Sequence, residues 1–598
     1  MIDTKKGYMG IIMFVPVFII FYYGIEWLRF GIDLPFYDDW RAFDFQEAGV
    51  FSLSVLFKSS NDTIYAVGKF IDFLVLEYSG YNVVLYQFLT LLFCLGGIYL
   101  FIYLILRKFF EVRVLCISLI SAVLIFQQDS YWGAQAVAYQ QALPILFILI
   151  AIYVVVIEEM VSWLRTAIIA FLGVLAGFSY ISGAFAVVTI GAVSLLVAYT
   201  SRSGVASRYW QASIGFLLAA LVTLPLQLRV ILVVQKGAIH DPTAVWAWPW
   251  GSDFWWFALG MIGRSVGVYG YGDKLWLYLP VAIAFVGIAV ALLYSALKTV
   301  FLKNSSKRNI GSAYVYLCVA CCIGVYMAMV AASRAKLGIP GEDSVYHKLV
   351  HGGSRFHYFW LTVLIPFLVA NLVEKYVSFG GNLTNLRTYI ISLVIFMYAA
   401  FAGTFNYERQ FRYTQTVAQE SLQCIQQKIL ESKPIICLRT YPIELDKAIQ
   451  YAKSQNVSFL KYIFFPPEVL GSDLTSISGV RKKSSNNSEI VIDAENDPQL
   501  YFTLTSKNGK ELSSCRELRI TGAITSERSD YFQVFFLSEG EYQYTEQESS
   551  VVGYQAGQDV LFDIRVASNS GFQSALRVDP GAGNGRYILR NISFACDR

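Results

Sequence analysis

Charged residues are scarce in this sequence. Of its 598 residues, 15% are Asp, Glu, Lys or Arg and 56% are hydrophobic, whereas soluble domains carry about 25% charged residues. A protein that is soluble throughout is therefore excluded, and most of the chain is predicted to lie in lipid. The formal net charge of +4 is too small for a nucleic-acid binder, so no nucleic acid is expected among its partners.

The sequence also lacks the short motifs of several protein classes. It contains no P-loop, no dinucleotide-binding fingerprint and no Gly-x-Ser-x-Gly turn, which excludes nucleotide-driven transport, hydride transfer and serine hydrolysis. Aromatic residues make up 16% of the chain, and its 44 Gly and 15 Pro follow no period. These values exclude a disordered chain and a collagen-like repeat.

What the sequence does contain is a series of apolar runs. A run needs about 20 residues to cross the hydrocarbon core as a helix, and several of the runs fall short of that length. We predict a polytopic α-helical membrane protein with about 11 transmembrane helices, at Tyr8–Leu28, Val83–Leu106, Val114–Phe126, Leu143–Ile157, Ala167–Phe178, Phe185–Tyr199, Tyr209–Leu228, Leu275–Leu297, Ala313–Ala332, Tyr358–Val373 and Tyr389–Phe405.

Basic residues set the predicted orientation. Every second loop is rich in Lys and Arg, and such loops face the cytoplasm. The segment Phe254–Tyr269 is apolar but contains Arg264, and counting it as a span would break this alternation. We therefore interpret it as re-entrant or interfacial, with the N-terminus inside and the C-terminus outside.

After residue 405 the composition turns polar. We predict a multi-span domain at residues 1–405, a helical linker at 406–472 and an extracytoplasmic, mainly-β domain at 473–598 that is jelly-roll-like, because short alternating runs there are separated by turn residues. Four of the nine cysteines lie in this polar part. Cys515 can pair with Cys596 and Cys424 with Cys437, although sequence alone leaves the connectivity open.

Two adjacent acids follow the first apolar run. Asp38, Asp39 and Trp40 stand in the sequence Phe-Tyr-Asp-Asp-Trp-Arg, early in the long loop Gly31–Asn82. One interpretation is a solvated loop with an interfacial aromatic belt. The other is a catalytic carboxylate at the membrane face that accepts a proton from a sugar hydroxyl. Paired acids also bind Mg²⁺ or Mn²⁺, but no second acidic cluster completes an oxygen cage.

A cluster of cations lies in a later outer loop. If the donor is a polyprenyl-phosphate sugar, its phosphate leaving group needs nearby positive charge but no general acid. The candidates in the segment Ser333–His357 are Arg334, Lys336, Arg355 and His357. A further candidate is Arg264, inside the apolar segment Phe254–Tyr269. Alternatively, Arg355 is an interfacial arginine whose side chain extends to the lipid headgroups. Arg264 is alternatively part of an ion pair that holds the helices together.

A polar and aromatic stretch, Gln127–Gln135, interrupts two spans on the outer side. Sugars are held by such groups, with rings stacked on aromatic side chains and hydroxyls bonded by amides and carboxylates. An interfacial turn is the alternative. The candidate residues for sugar or acceptor binding are Trp40, Asp62, Asp129, Trp132 and Gln135.

Taken together, these segments resemble the C-type polytopic membrane glycosyltransferases, in particular the bacterial glucosyltransferase-like enzymes that modify O-antigen and other surface polysaccharides. The residues that carry the resemblance are Asp38-Asp39-Trp40, Trp132-Gly133-x-Gln135, the break at Ser179–Gly183, and Ser354-Arg355-Phe356 before a late span. They cover about the first 400 residues. Where relatives often carry a basic or His-containing motif in the first loop, this chain has Asn61-Asp62-Thr63 and Lys69.

The resemblance implies a function for the chain. It implies transfer of a single sugar from an undecaprenyl-phosphate donor to lipopolysaccharide or another lipid-linked glycan, at the outer face of the bacterial inner membrane, with Asp38 or Asp39 as base. We expect inversion and no certain cofactor. The segment Leu576–Gly581 and the one at Tyr587–Ile592 are similar to the closing strands of jelly-roll modules on glycan-processing proteins. The alternatives are a transporter or flippase of lipid-linked glycans and a polysaccharide polymerase.

Overall fold

The chain folds into two compact units. The first comprises Met1–Lys428 with Pro434–Ile463, and the second comprises Ile429–Lys433 with Phe464–Arg598. The computed structural model describes residues 4–35, 39–40, 42–43, 52–59, 63–126, 141–157, 160–201, 203–234, 246–266, 275–302, 306–336, 344–353, 357–376, 390–395, 407–437, 444–485, 488–506 and 512–597.

The first unit is helical. Its helices are α1 Thr4–Phe30, α2 Leu53–Phe57, α3 Ala66–Ser79, α4 Val83–Thr90, α5 Gly96–Phe109, α6 Val112–Ser121, α7 Leu143–Val156, α8 Ser162–Ser179, α9 Ile181–Thr200, α10 Ser203–Arg229, α11 Ser252–Ser265, α12 Leu275–Phe301, α13 Lys307–Arg334, α14 Val345–Gly353, α15 Phe359–Tyr376, α16 Tyr407–Leu430 and α17 Asp446–Ser454. A π-helical turn, Leu91–Leu95, joins α4 to α5.

Within the described residues, seven helices are long and apolar enough to cross a membrane. They are Val83–Phe109, Ser162–Ser179, Ile181–Thr200, Ala206–Val233, Leu279–Phe301, Lys307–Arg334 and Phe359–Tyr376. Two shorter apolar helices occupy Val112–Ile125 and Leu143–Val156, where the sequence also predicts short spans. The predicted apolar helical layout is confirmed, and the number of about 11 spans stays a prediction.

The helix Val83–Phe109 shows how sequence sets these elements. Asn82 caps its start by accepting a hydrogen bond from the backbone N–H of Leu85, which satisfies one otherwise unpaired donor. A mainly apolar run follows, with Gln87 and Thr90 as polar exceptions. Arg107 and Lys108 lie in its last turn, where cations favour the negative end of the helix dipole.

Polar contacts distinguish the two ends of the helical bundle. At one end, the Arg308 guanidinium donates to the carbonyl oxygen of Phe109 at 2.8 and 2.6 Å, and the Lys375 amine donates to the hydroxyl of Ser295 at 3.2 Å. At the other end lies the loop Gly31–Asn82, and we call this the first-loop end. Arg308 and Lys375 thus lie away from that loop.

Helix α11 lies at the first-loop end. Before it, the Ala247 N–H donates to the carbonyl oxygen of Ala332, near the end of α13, at 2.9 Å. Near its own end, the Arg264 guanidinium carbon lies 5.0 Å from the ring centre of Tyr358, directly before α15. The segment enters and leaves at one end of the bundle, as a re-entrant segment does.

The second unit contains one continuous antiparallel sheet. Its strands are β1 Glu468–Ser485, β2 Glu489–Thr505, β3 Glu517–Ser526, β4 Asp530–Ser538, β5 Ser549–Tyr554, β6 Val560–Ala567, β7 Phe572–Asp579 and β8 Gly585–Asp597. They are hydrogen-bonded in the order β5-β4-β7-β2-β1-β8-β3-β6. The predicted mainly-β C-terminal part is confirmed.

Alternation along the strands builds the core of this unit. Leu500, Phe502, Val534, Leu576 and Val578 are all buried in one apolar cluster. Their neighbours in sequence point to the other face of the sheet, because successive side chains of a strand alternate. The same period makes β6 alternate between buried and exposed residues, which is typical of a sheet with one solvated face.

Two disulfide bonds close segments of the polar part. Cys424 pairs with Cys437, and Cys515 pairs with Cys596, so both predicted pairings are confirmed. The second joins the segment before β3 to the end of β8. The other five cysteines form no disulfide and lie in the apolar helical part: Cys94, Cys116, Cys318, Cys321 and Cys322.

This pairing predicts the result of thiol labelling. In denatured protein purified under oxidising conditions, maleimide should label five cysteines before reduction and all nine after it, counted by intact mass. Cys515→Ser should free one additional thiol, on Cys596, without changing the others. Labelling of nine cysteines before reduction would contradict both disulfides.

Candidate functional site

The loop Gly31–Asn82 places Asp39 and Trp40 inside the protein. Asp39 is 1% exposed and Trp40 is fully buried. The Trp40 ring lies 5.3 Å from the ring of Phe459 and 6.0 Å from that of Phe43. In this structure Trp40 therefore packs the loop rather than presenting a free ring to a sugar, while its role in sugar binding stays a prediction.

A second carboxylate, Asp72 of α3, lies near Asp39. Asp72 is 2% exposed, and its oxygen accepts a hydrogen bond from the Tyr86 hydroxyl at 2.8 Å. The Tyr81 hydroxyl donates to the carbonyl oxygen of Asp39 at 3.4 Å. Burial first, and then the charges of Asp72 and Asp39, raise the pKa of the Tyr81 phenol. Both carboxylates thus act on one buried phenol.

The Lys69 amine holds the preceding part of the same loop. It donates to the carbonyl oxygen of Lys58 at 2.6 Å and to that of Val55 at 3.1 Å, and it lies 5.3 Å from the ring centre of Tyr65. A buried ammonium group requires such acceptors, because unsolvated charge is costly. Lys69 thereby joins α2 to α3 beside the two carboxylates.

Residues 445–462, far along the chain, cover this loop. Phe459 is fully buried and its ring lies edge-on against Trp40 and Phe43. The Ser458 N–H donates to the carbonyl oxygen of Gly80 at 2.8 Å. The Lys461 amine lies 3.4 Å from a carboxylate oxygen of Asp33, whose other oxygen accepts from the Val83 N–H. We call this segment the loop clamp.

The other end of the loop is fixed to the helices by an amide. The Gln227 side chain accepts hydrogen bonds from the Thr63 hydroxyl and the Ile64 N–H at 3.1 and 2.9 Å, and it donates to the carbonyl oxygens of Ile64 and Gly177 at 2.7 and 2.8 Å. The Thr63 hydroxyl accepts from the Ile181 N–H. This amide saturates both its oxygen and its nitrogen, so the loop, α8, α9 and α10 meet in one network.

Arg264 and His357 form a second group, around the start of α15. Arg264 is 4% exposed and lies against the Tyr358 ring, while His357 is 2% exposed. The rings of His351, His357 and Phe257 are 5.3 to 5.7 Å apart. A guanidinium beside two imidazoles and an aromatic face is suited to binding an anion.

A close approach of α11 and α14 supports this group. A Cβ added to Gly260 would lie 2.1 Å from the carbonyl oxygen of Leu349, and one added to Gly352 would lie 2.1 Å from that of Phe257. Glycine is therefore required at both positions. The Lys348 amine also pairs with the Asp253 carboxylate across the same two helices.

Arg334 and Lys336 lie at the same end of the bundle, at and just beyond the end of α13. Arg334 is half-buried and Lys336 is exposed. Two turns earlier, the Tyr326 ring stacks on Trp360 of α15 at 4.6 Å, and the Tyr326 hydroxyl donates to the Gln141 side chain at 2.9 Å. The structure thus brings Arg264, His357 and Arg334 to the neighbourhood of the start of α15.

Several predicted site residues lie outside the described residues. They are Asp38, Asp62, Asp129, Trp132, Gln135 and Arg355. Within the described part of the chain, no three His, Cys, Asp or Glu side chains are grouped as a metal site requires. Mg²⁺ or Mn²⁺ binding at the acid pair stays a prediction.

Sequence reasoning missed Asp72, Tyr81, Tyr86 and Gln227. Asp72 had a usable signal, because a carboxylate inside an apolar helix is costly and indicates a partner. The same signal identified Arg264. Tyr81, Tyr86 and Gln227 had none, because their partners are distant in sequence.

No protein-family model and no curated protein matches the chain. Among solved structures, a carbohydrate-binding module from a Cellvibrio mixtus lichenase, in complex with cellotriose, aligns with 12% identity and a TM-score of 0.17, over 22% of this chain and 99% of that one. A family 29 carbohydrate-binding module from Piromyces equi aligns with 17% identity and a TM-score of 0.16, over 22% and 91%. TM-scores this low carry no argument about the chain.

The loop clamp generates a prediction. Phe459→Ala removes a buried ring at a cost of about 3–5 kcal/mol, so the clamp should open locally. Hydrogen–deuterium exchange should speed up in peptides covering Gly80 to Tyr86 and Ser458. Phe464→Ala, whose side chain is 61% exposed, is the matched control. Equal exchange in both variants would show that Phe459 does not hold the loop.

Proposed function

We propose that this protein is a membrane glycosyltransferase. It moves a single sugar from a polyprenyl-phosphate donor to a surface-polysaccharide or lipid-linked glycan acceptor, at the outer face of a bacterial inner membrane. The observation that carries the proposal is the pair of buried carboxylates, Asp39 and Asp72, at the first-loop end of an apolar helical bundle.

The chemistry requires a base for the acceptor hydroxyl. Asp39 is our candidate, with Asp38, its neighbour in sequence, as the alternative. Asp72 and Tyr81 position the region around it, because their contacts join α3, α4 and the loop. Burying a charged group away from water is costly. A protein that keeps two buried carboxylates near each other therefore uses them for a function more often than for packing.

The donor phosphate requires positive charge. Arg264 supplies it near the start of α15. Arg334 lies at the same end of the bundle, and Arg355 directly precedes this region in sequence. His351 and His357 can donate hydrogen bonds as neutral imidazoles. An arginine fork matches two phosphate oxygens. Stacking on Tyr358 keeps the Arg264 guanidinium fixed, which reduces the entropy lost when an anion binds.

Two features support the outer membrane face as the location of the site. Basic residues such as Arg308 and Lys375 lie away from the first loop, and cytoplasmic loops are the basic ones. Disulfide bonds, two of which close segments of the polar part, persist in oxidising compartments. Direct attack by the acceptor on the donor sugar would invert its anomeric centre, as a single displacement does.

An activity assay tests the base. Purified protein in nanodiscs is supplied with a panel of undecaprenyl-phosphate sugars and with lipopolysaccharide as acceptor. Asp39→Asn should lower the transfer rate at least about 100-fold, the usual contribution of a general base. Glu77→Gln, on the exposed side of α3, should keep full activity.

Two results would contradict the proposal. Transfer of no sugar in the panel would favour a transporter, and product chains longer by many sugars would favour a polymerase. Full activity of Asp39→Asn would exclude Asp39 as base, and Asp38→Asn is then the variant to compare.

The donor site has a separate prediction. Arg264→Lys keeps the charge but loses the planar fork, so KM for the donor should rise while KM for the acceptor stays unchanged. Steady-state kinetics with both substrates measures this. Arg308→Lys, at the opposite end of the bundle, is the matched control. A change confined to kcat or to the acceptor KM would place Arg264 outside the donor site.

A further inference from the structure

The strands near the two ends of the β sheet differ in how many of their side chains are exposed. Along β6, residues alternate between buried and exposed, whereas Phe532 to Leu537 of β4 are buried on both faces. The second face of β4 is not the apolar core, because Gln533 and Phe535 alternate with the core residues Val534 and Phe536. Something other than core packing therefore organises the face that includes Gln533.

The strand register places polar and aromatic side chains in rows on this face. Tyr501 of β2 is opposite Arg577 of β7, which is opposite Phe535 of β4. In the next row Asp579 is opposite Gln533. We call the surface formed by Tyr501, Gln533, Phe535, Arg577 and Asp579 the tyrosine–arginine face.

The side chains of this face are held in fixed positions by one another. The Arg577 guanidinium donates two hydrogen bonds to the Asp579 carboxylate and lies 4.6 Å from the ring centre of Phe535. The Gln533 amide donates to Glu546 at 2.7 Å and to Ser549 at 2.8 Å. The Tyr501 hydroxyl donates to the Gln499 side chain at 2.7 Å. Fixed polar groups lose little entropy when a ligand binds.

The loop between β4 and β5 adds a second aromatic ring. Tyr544 is half-buried, and its ring centre lies 6.1 Å from that of Tyr501. Tyr501 is also half-buried, and the Arg577 side chain keeps 20% exposure. Two tyrosine rings and the guanidinium thus border an accessible surface whose floor is the sheet.

The charges of the face restrict the ligand. Asp497, Glu546 and Asp579 supply three carboxylates, and Arg577 is the cation held among them. Burial first, and then the charges of Asp497 and Glu546, raise the pKa of Asp579 against the opposing effect of Arg577, so the neighbouring carboxylates do act on this site. An anionic ligand would add to this excess and bind poorly.

We propose that the tyrosine–arginine face binds a neutral glycan chain. A sugar ring has an apolar face of C–H groups, which stacks on an aromatic ring, and a rim of hydroxyls, which bonds to carboxylates, amides and guanidinium groups. Tyr501 and Tyr544 supply the rings, Arg577 and Gln499 supply the hydrogen bonds, and the buried Asp579 holds Arg577 in place. The inference stands independently of glycosyl transfer, because it concerns binding by the second unit.

Binding is measured with the full-length protein in nanodiscs, without donor. Biolayer interferometry compares immobilised mannan, galactan, dextran and β-glucan with the anionic polymers alginate and polygalacturonate. At least one neutral polysaccharide should bind, and neither anionic one should. Tyr544→Ala and Tyr501→Ala should each weaken binding about tenfold or more, equivalent to the loss of about 1.4 kcal/mol, while Tyr501→Phe should retain it.

The chain offers a matched control for the charged residues. Arg519 forms a two-bond pair with Asp563 on β3 and β6, at 2.8 Å for both bonds, away from this face. Arg577→Gln should lose binding, and Arg519→Gln should keep it. Tyr544→Ala lies in a loop and tests the inference even if Arg577→Gln fails to fold. Failure of all neutral polymers to bind, preference for an anionic one, or equal loss in Arg519→Gln would overturn it.

Discussion

The loop clamp is the constraint on which the first-loop end of the bundle depends. The loop Gly31–Asn82 carries polar side chains in an apolar protein, and a loop of this kind is stable only if its polar groups find partners. Ser458 and Lys461 supply them from one side, where Phe459 also packs against Trp40, and Gln227 supplies them from the other. Because Asp39 and Trp40 lie between these two attachments, the buried acid is fixed by packing rather than by its own loop.

Burial of charge is expensive, and several buried charges lie at the first-loop end of the helices. Asp39, Asp72, Lys69 and Arg264 are all less than 8% exposed. Each lies beside aromatic rings that exclude water and strengthen electrostatic interactions.

The β unit uses its two faces differently. Leu500, Val534 and Val578 form the core on one side, and the next residue along each strand supplies Tyr501, Phe535 and Asp579 on the other. A period of two therefore produces a stable domain and a structured polar surface from the same strands. The surface along β6 has the same period but exposed side chains, so it serves only as a solvated face.

The sequence by itself determined the apolar helical part and the mainly-β C-terminal part, and it singled out Asp39 and Arg264 as candidate site residues. These follow from composition, periodicity and the cost of charge in apolar surroundings, which are local properties. Only the tertiary structure decided that Trp40 packs against Phe459, that Asp72 joins Asp39 beside Tyr81, and that Tyr501, Arg577 and Phe535 share one row. Those contacts join residues tens to hundreds of positions apart, and no local pattern encodes which distant segments will meet.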